Sequence, residues 1–243
     1  MEAWGLTDPG LVRTQNQDYY LLQQLGSHDL LAVVCDGMGG ARSGNVASRL
    51  AAEVFTEEIK RGYRPGMSQE QADYLLRTAV SIANTSVFEN AQLNPDMKGM
   101  GTTLVAVLIL NKRAYFCNVG DSRGYLMNRQ GVQRVTVDHS LVELMVQRGE
   151  LTSEQAKSYP GKNYITRAVG TEPAVECDLY TSALRAGDCI LLCSDGLTNH
   201  LADQELLFEV IHGVKKQDCC QRLLAIAKDR GAPDNVTAVL IAC

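Results

Sequence analysis

No stretch of the chain stays apolar for the ~20 residues that a membrane-spanning helix needs. Basic residues are in deficit, 23 Lys and Arg against 28 Asp and Glu, for a net charge of −5. Nucleic acid and anionic membrane surfaces both select for a basic face, so neither is expected as the main partner, and no membrane insertion is expected. None of the eight cysteines forms a C-x-x-C pair. Cys35, Cys117, Cys189 and Cys193 lie inside apolar runs and Cys219-Cys220 in a helical pattern. They read as small buried hydrophobes in a reducing cytosol rather than as disulfides or zinc ligands. The opening MEAWGLTDPG lacks the basic start and apolar stretch of a signal peptide, so a cytoplasmic location is expected. Linker-like and low-complexity segments are missing too, and one domain over 1–243 is expected.

What is present suits a soluble chain with a sizeable core: 45% hydrophobic and 21% charged residues. Short runs rich in β-branched and aromatic residues predict strands at 30–35, 102–110, 113–119, 123–127, 188–193 and 235–242. Asn111-Lys112 reads as a hairpin turn between two of them. Apolar positions at helical spacing predict a helix over 43–62, with Val46, Ala47, Leu50, Ala51, Val54, Phe55 and Ile59 on one stripe. A second runs over 68–93, on the stripe Ala72, Leu75, Leu76, Ala79, Ile82, Ala83 and Val87, with Ser68 and Gln71 as a capping box. Shorter helices are expected near 203–212 and 217–228. Strict β-α alternation is absent, so the pattern fits α+β layers rather than a doubly wound parallel sheet. Region 138–170, polar and glycine-bearing with a short helix at 140–149 and a turn starting at Thr152, reads as an insertion over the body.

The run LLAVVC ends at Asp36, and three of the next four residues are glycine. The design recurs where ILLCS meets Asp195-Gly196. Asp121 also ends a strand pattern, Asp234 precedes the last strand, and Asp18 precedes the apolar start of YYLLQQL. Asp-Gly alone is a common turn dipeptide, and Asp a common helix cap. Five aspartates at the ends of apolar runs go further. If the strands share a sheet, carboxylates meet at one rim and raise one another's pKa, a conflict that a cation removes. The donors are all oxygens, with neither Cys nor His, which suits Mg²⁺, Mn²⁺ or Ca²⁺ rather than structural zinc. An EF-hand pattern is absent, and widely spaced aspartates suit an assembled, two-metal catalytic site. The glycines do not form a phosphate loop: Gly39 to Gly44 has the spacing, but Asn45-Val46 stands where Lys and Ser/Thr belong, and Arg42 occupies the third glycine position of a dinucleotide loop. Glycine instead lets the backbone approach a metal, so that a carbonyl can serve as ligand.

In order along the chain stand R-x-x-N-Q-D (13–18), V-V-C-D-G-M-G-G (33–40), G-M-G-T-T-L (99–104), V-G-D-S-R (119–123), D-H-S-L-V (138–142), R-A-V-G (167–170), C-S-D-G-L (193–197) and A-P-D-N-V-T (232–237). This series resembles the metal-dependent serine/threonine phosphatases of the protein phosphatase 2C family, in their compact bacterial form, and spans nearly the whole chain. The resemblance implies a four-layer αββα sandwich: two antiparallel sheets flanked by helix pairs. It implies two Mn²⁺ or Mg²⁺ ions at one end, with Asp36 bridging them and the Gly37 carbonyl on one. Asp195 and Asp234 would hold the other, with Asp18 helping through water. Asp121 with Asp195 resembles a weaker third-metal site, and Asn235 a residue supporting the ligands. A hydroxide between the metals would attack the phosphorus of phosphoserine or phosphothreonine, with Arg13 stabilising the phosphoryl oxygens. Phosphoproteins are the implied substrates, a Ser/Thr kinase the implied counterpart, and a monomer the expected state. Two family histidines are replaced, by Met38 and Ala41, which leaves a metal-bound water to protonate the leaving group. His139 and His200 read as structural or exposed, and 138–170 resembles the family's variable flap. A catalytically silent module on the same fold would have lost metal ligands, and none is missing. A phosphatase devoted to one anti-sigma-factor antagonist is a narrower form of the same reading.

Overall fold

The computed structural model describes residues 1–39 and 43–243. Three strands come first: β1 (Glu2–Asp8), β2 (Asp18–Gln24) and β3 (Leu30–Met38). Two long helices follow, α1 (Gly44–Gly62) and α2 (Gln69–Leu93). Next come β4 (Gly101–Thr102), β5 (Leu104–Leu110), β6 (Arg113–Val119), β7 (Arg123–Asn128) and β8 (Gly131–Arg134). Short helices α3 (Leu141–Gln147) and α4 (Ser153–Ser158) lead to β9 (Asp178–Ala183) and β10 (Cys189–Cys193). The chain closes with α5 (Asp195–Thr198), α6 (Asp203–His212), α7 (Cys219–Asp229) and β11 (Val236–Ala242).

Among the described residues the strands form two sheets, β1-β11-β10-β7-β8 and β2-β3-β5-β6-β9, with β4 paired to β3. Every pairing is antiparallel. Helices α1 and α2 cover the second sheet through Phe55, Ile59, Leu76 and Val87. Helices α6 and α7 cover the first through Leu206, Val210, Leu223 and Leu224. The class is therefore α+β, in four αββα layers. The hairpin turn is of type I′, as Asn111 and Lys112 have φ of 50° and 60°. The Ser68–Gln71 capping box closes in both directions.

The predicted central strands are present because a strand buried on both faces reads as one apolar run. In β3, Leu30, Ala32 and Val34 face the layer between the sheets, while Leu31, Val33 and Cys35 face the helices. The strand does not stop at Asp36: it runs on to Met38, because Gly37 and Met38 pair with Thr102 and Gly101. The run 102–110 breaks at Thr103 into β4 and β5. Strands β1, β2, β8 and β9 lie outside the strand predictions. All four are edge strands, and none is buried along its whole length. Ile82, placed on the buried stripe of α2, is 37% exposed. A stripe of that width at 3.6 residues per turn overruns the contact face, and Val80 takes the buried place.

Period-2 alternation also carries polar groups into the inter-sheet layer. Asp18 shares the face of Tyr20 and Leu22, and Asp36 that of Leu30, Ala32 and Val34. Ser194 shares the parity of Ile190 and Leu192, and Thr237 that of Val239 and Ile241. The registers Asp18↔Asp36 and Thr7↔Thr237 set them at one end of the sandwich. The apolar layer is thus closed at that end by carboxylates and hydroxyls.

Candidate metal centre

Asp18 lies deepest, 5% exposed. Its Oδ2 accepts hydrogen bonds from Ser194 Oγ at 2.7 Å and Thr237 Oγ1 at 2.6 Å. Its Oδ1 is buried and has no hydrogen-bond partner. Burial pushes the Asp18 carboxyl up to about 6, the two hydroxyls oppose the rise, and Asp195 adds to it. Asp36 stands opposite. Its backbone is pinned: its N–H donates to Thr103 Oγ1 at 2.9 Å, and its carbonyl accepts from Thr102 Oγ1 and Thr103 N, both at 2.9 Å. Burial raises its carboxyl well above the usual range, and repulsion from Asp18, Asp195, Asp121 and Asp234 adds to that.

Asp195 opens α5, where the chain turns out of β10; Asn199 Nδ2 donates to its Oδ2 at 3.1 Å. Burial and then Asp234 push its carboxyl up. Asp121 follows the β6 end and reaches about 7, through burial first and then Asp195 and Asp138. Asp234 receives Arg13 Nη2 at 3.0 Å, a partly exposed ion pair that joins residues 221 apart. Arg13 is held as a cation by Asp234 and, at longer range, by Asp36 and Asp195. All five predicted aspartates and Arg13 therefore share one electrostatic site.

The glycines answer to space. A Cβ on Gly37 would lie 2.0 Å from the Gly44 carbonyl oxygen, and one on Gly196 would lie 2.0 Å from that of Asn235. Asn235 acts as a clamp: its Nδ2 donates to the carbonyls of Pro9 and Gln15 at 3.0 and 2.9 Å, and its Oδ1 accepts Gln17 N–H at 2.8 Å. The loop that carries Arg13 is thereby fastened to the Asp234 segment. Region 138–170 is anchored on the same end. Asp138 takes Arg123 Nε at 3.0 Å and Nη2 at 2.6 Å, and Val169 bridges to Thr102. His139 is structural, as expected. Its Nδ1 accepts Gly120 N–H at 3.1 Å while Nε2 meets Asp178 Oδ2 at 3.1 Å. His200 is half-buried at the C-terminal end of α5, and burial lowers its pKa. Met38 ends β3 beside this rim. Ala41, the other replaced position, lies outside the described residues.

Sequence reading named none of the hydroxyls of Thr7, Thr103, Ser194 and Thr237, nor Asn199. Strand parity could have marked the hydroxyls, since each continues the inward-facing series of its strand. Among the described residues, no three His, Cys, Asp or Glu side chains are preset to hold an ion by themselves. The aspartates form an open rim instead. Such a rim fits hydrated Mg²⁺-like ions, which take one or two carboxylates each and keep several waters. The fit is chemical as well: the donors are hard oxygens, one buried carboxylate oxygen lacks any partner, and Asp36 is crowded by like charge.

Comparison with known proteins agrees with this geometry. The family model for protein phosphatase 2C matches residues 12–234. The serine/threonine phosphatase stp of Listeria monocytogenes is 34% identical over 242 residues, covering 99% of this chain and 95% of that protein. The crystal structure of the serine/threonine phosphatase Stp1 from Staphylococcus aureus superposes with a TM-score of 0.93 at 36% identity, covering 100% of this chain and 94% of that one. A structure of the catalytic domain of the serine/threonine protein phosphatase PstP in complex with two manganese ions superposes at 0.83 with 33% identity, covering 98% of this chain and 96% of that one. With an acidic rim at one end of an αββα sandwich and a family match over nearly its whole length, the chain belongs to the protein phosphatase 2C family of metal-dependent serine/threonine phosphatases.

Proposed function

We propose that the chain hydrolyses phosphoserine and phosphothreonine in phosphoproteins at the rim formed by Asp18, Asp36, Asp121, Asp195 and Asp234. The observation that carries the reading is the crowding of Asp36 by four other aspartates at a partly open mouth. Asp36 would be shared by two divalent ions, Mn²⁺ or Mg²⁺, with the Gly37 carbonyl on one. Asp195 and Asp234 would hold the other, and Asp18 would act through water. Asp121 with Asp195 would provide a weaker third site. Bound ions supply an activated water as nucleophile and positive charge for the phosphoryl oxygens.

The chain's own residues do the rest. Arg13 holds Asp234 through one nitrogen and has further N–H donors for phosphate oxygens, to which its planar fork is matched. A cation held by Asp234 would compete with that nitrogen for the carboxylate. Asn235 keeps the Arg13 loop in register with Asp234. Met38 has no proton to give, and both His139 nitrogens are engaged. The leaving oxygen therefore takes its proton from water.

The wider setting follows from the same reading. The substrates are made by a Ser/Thr kinase, and the chain acts as a single 1–243 unit and as a monomer, since the residues of one chain compose the rim. All eight cysteines are free and seven are buried, which supports a cytosolic location. Among the described residues, no helix is long and apolar enough to cross a membrane. Hydrolysis of a phosphothreonine peptide, measured with Mn²⁺, with EDTA, and in Asp36→Asn and Asp195→Asn, tests the reading. Activity should require the metal and collapse in both variants. Metal-independent turnover, or full activity in both variants, would overturn it.

A further inference from the structure

Beside the aspartates lies a chain of polar groups, running from half-buried Asn16 and Thr7 to buried Thr237, Ser194 and Asp18, whose proton directions follow from one another. Asn16 Nδ2 donates to Thr7 Oγ1 at 2.8 Å. Thr7 Oγ1 and Thr237 Oγ1 are 2.7 Å apart, and Thr237 Oγ1 reaches Asp18 Oδ2 at 2.6 Å. A hydroxyl has one proton to give. If Thr237 donates to the carboxylate, it must accept from Thr7, and Thr7 must accept from Asn16, whose amide can only donate. A second arm runs the same way. Thr237 N–H donates to Ser194 Oγ at 3.0 Å, which frees the Ser194 proton for Asp18 Oδ2 at 2.7 Å. The Asn16 side-chain oxygen accepts the Asp18 backbone N–H at 3.1 Å, closing the loop.

Every hydroxyl proton in this network points toward the Asp18 carboxylate, and the hydroxyls end on a single oxygen. Oδ2 takes both donors; Oδ1 takes none and is buried. Thr237 and Ser194 have no exposed surface. A network that served only to satisfy a buried carboxyl would divide its donors between the two oxygens. This one fixes the plane of the carboxylate and leaves its other oxygen without a donor.

We propose that Thr237, backed by Thr7 and Asn16 and paired with Ser194, is a positioning residue that fixes the Asp18 carboxylate through Oδ2 and leaves Oδ1 for a divalent cation or its water. The inference rests on the proposed metal-dependent function and adds residues to which that reading gives no role.

The test is isothermal titration of Mn²⁺ into the metal-stripped full chain, comparing wild type, T237V, T237S, T7V and D36N, each with a thermal melt. Outer-shell partners of metal ligands are commonly worth ~10–100-fold in affinity, and T237V should weaken Mn²⁺ binding within that range. T237S, which restores the hydroxyl, should recover most of the loss. T7V should weaken binding in the same direction but less, because it acts through Thr237. A purely structural hydroxyl would lower the melting temperature and leave the Mn²⁺ affinity alone. Wild-type affinity in T237V, with binding lost in D36N, overturns this inference and leaves the proposed function standing. Absence of Mn²⁺ binding in wild type overturns both. Should T237V not fold, T7V decides the matter: unchanged affinity there overturns the inference.

Discussion

Removing a charge from the acidic rim should stabilise the metal-free protein, and Asp121→Asn isolates the effect. Asp121 has no side-chain partner that donates to it apart from its own backbone N–H, so the amide sacrifices little. Its carboxyl is raised from 3.8 to about 7 by burial, then by Asp195 and Asp138. A folded-state pKa above the unfolded one means that the folded chain holds the proton more tightly. Folding is then unaffected by this group below pH ~4, increasingly penalised between pH ~4 and ~7, and penalised by a constant amount above that. The difference, about 7 minus 3.8, is roughly 3 pH units, and at ~1.4 kcal/mol each the ceiling is ~4 kcal/mol. Asp121 is only partly buried and shares its repulsion with Asp195, so water screening leaves ~1–2 kcal/mol. For a chain of this size that is a rise in Tm of about 2–8 °C. The assay is a thermal melt in EDTA at several pH values between 4 and 8. The variant should be the more stable at pH 8, with the gain fading toward pH 4. With Mn²⁺ the wild type should recover ground, since a bound cation turns the repulsion into attraction. A variant less stable than wild type at pH 8 in EDTA, or a gain independent of pH, would refute the argument.

Two further perturbations separate chemistry from stability. Arg13→Ala breaks an ion pair whose side chains are 55% and 42% exposed, so stability should change by under ~1 kcal/mol. Its kcat/KM on a phosphothreonine peptide should nevertheless fall by ~100-fold, the usual cost of one lost donor to developing phosphoryl charge; activity within twofold of wild type (a change of only ~0.4 kcal/mol) would rule out the role. Asp138→Asn does the reverse and strips the Arg123 guanidinium of a forked carboxylate at 2.6 to 3.0 Å. Breaking a fully buried pair costs ~3–5 kcal/mol, and the Arg123 side chain is 26% exposed, so ~2–3 kcal/mol is expected. Urea denaturation should show a lower midpoint with an unchanged slope, because Arg134, 3.6 Å from Asp138, loses a partner as well; a loss below ~0.5 kcal/mol would refute the argument.

Much of the fold was legible because the central elements are buried on both sides. LLAVVC, LVAVLIL and CILLC are short, apolar throughout and bounded by turn residues, which marks covered strands, and the stripes of α1 and α2 repeat at helical spacing. The edges were not legible. EAWGLTD and DLYTSA bury too little to show a run, and they are strands only because β11 and β6 offer hydrogen-bonding partners. The rim was half legible. Each aspartate was visible at the end of an apolar run, but the hydroxyls of Thr7, Ser194 and Thr237 look like ordinary strand residues in one dimension.

The sequence by itself determined the local terms: which segments extend, which coil, and that five hard-oxygen donors end apolar runs. These depend on backbone periodicity and side-chain chemistry, which act over a few residues. Only the tertiary structure decided that Asp18 lies across from Asp36, that Arg13 meets Asp234 over 221 residues, and that the hydroxyl network runs toward one oxygen of Asp18. The reason is strand order. Antiparallel pairing sets each register, and the stacking of two sheets brings the strand ends to one mouth; both are non-local choices made by packing the shared inter-sheet core.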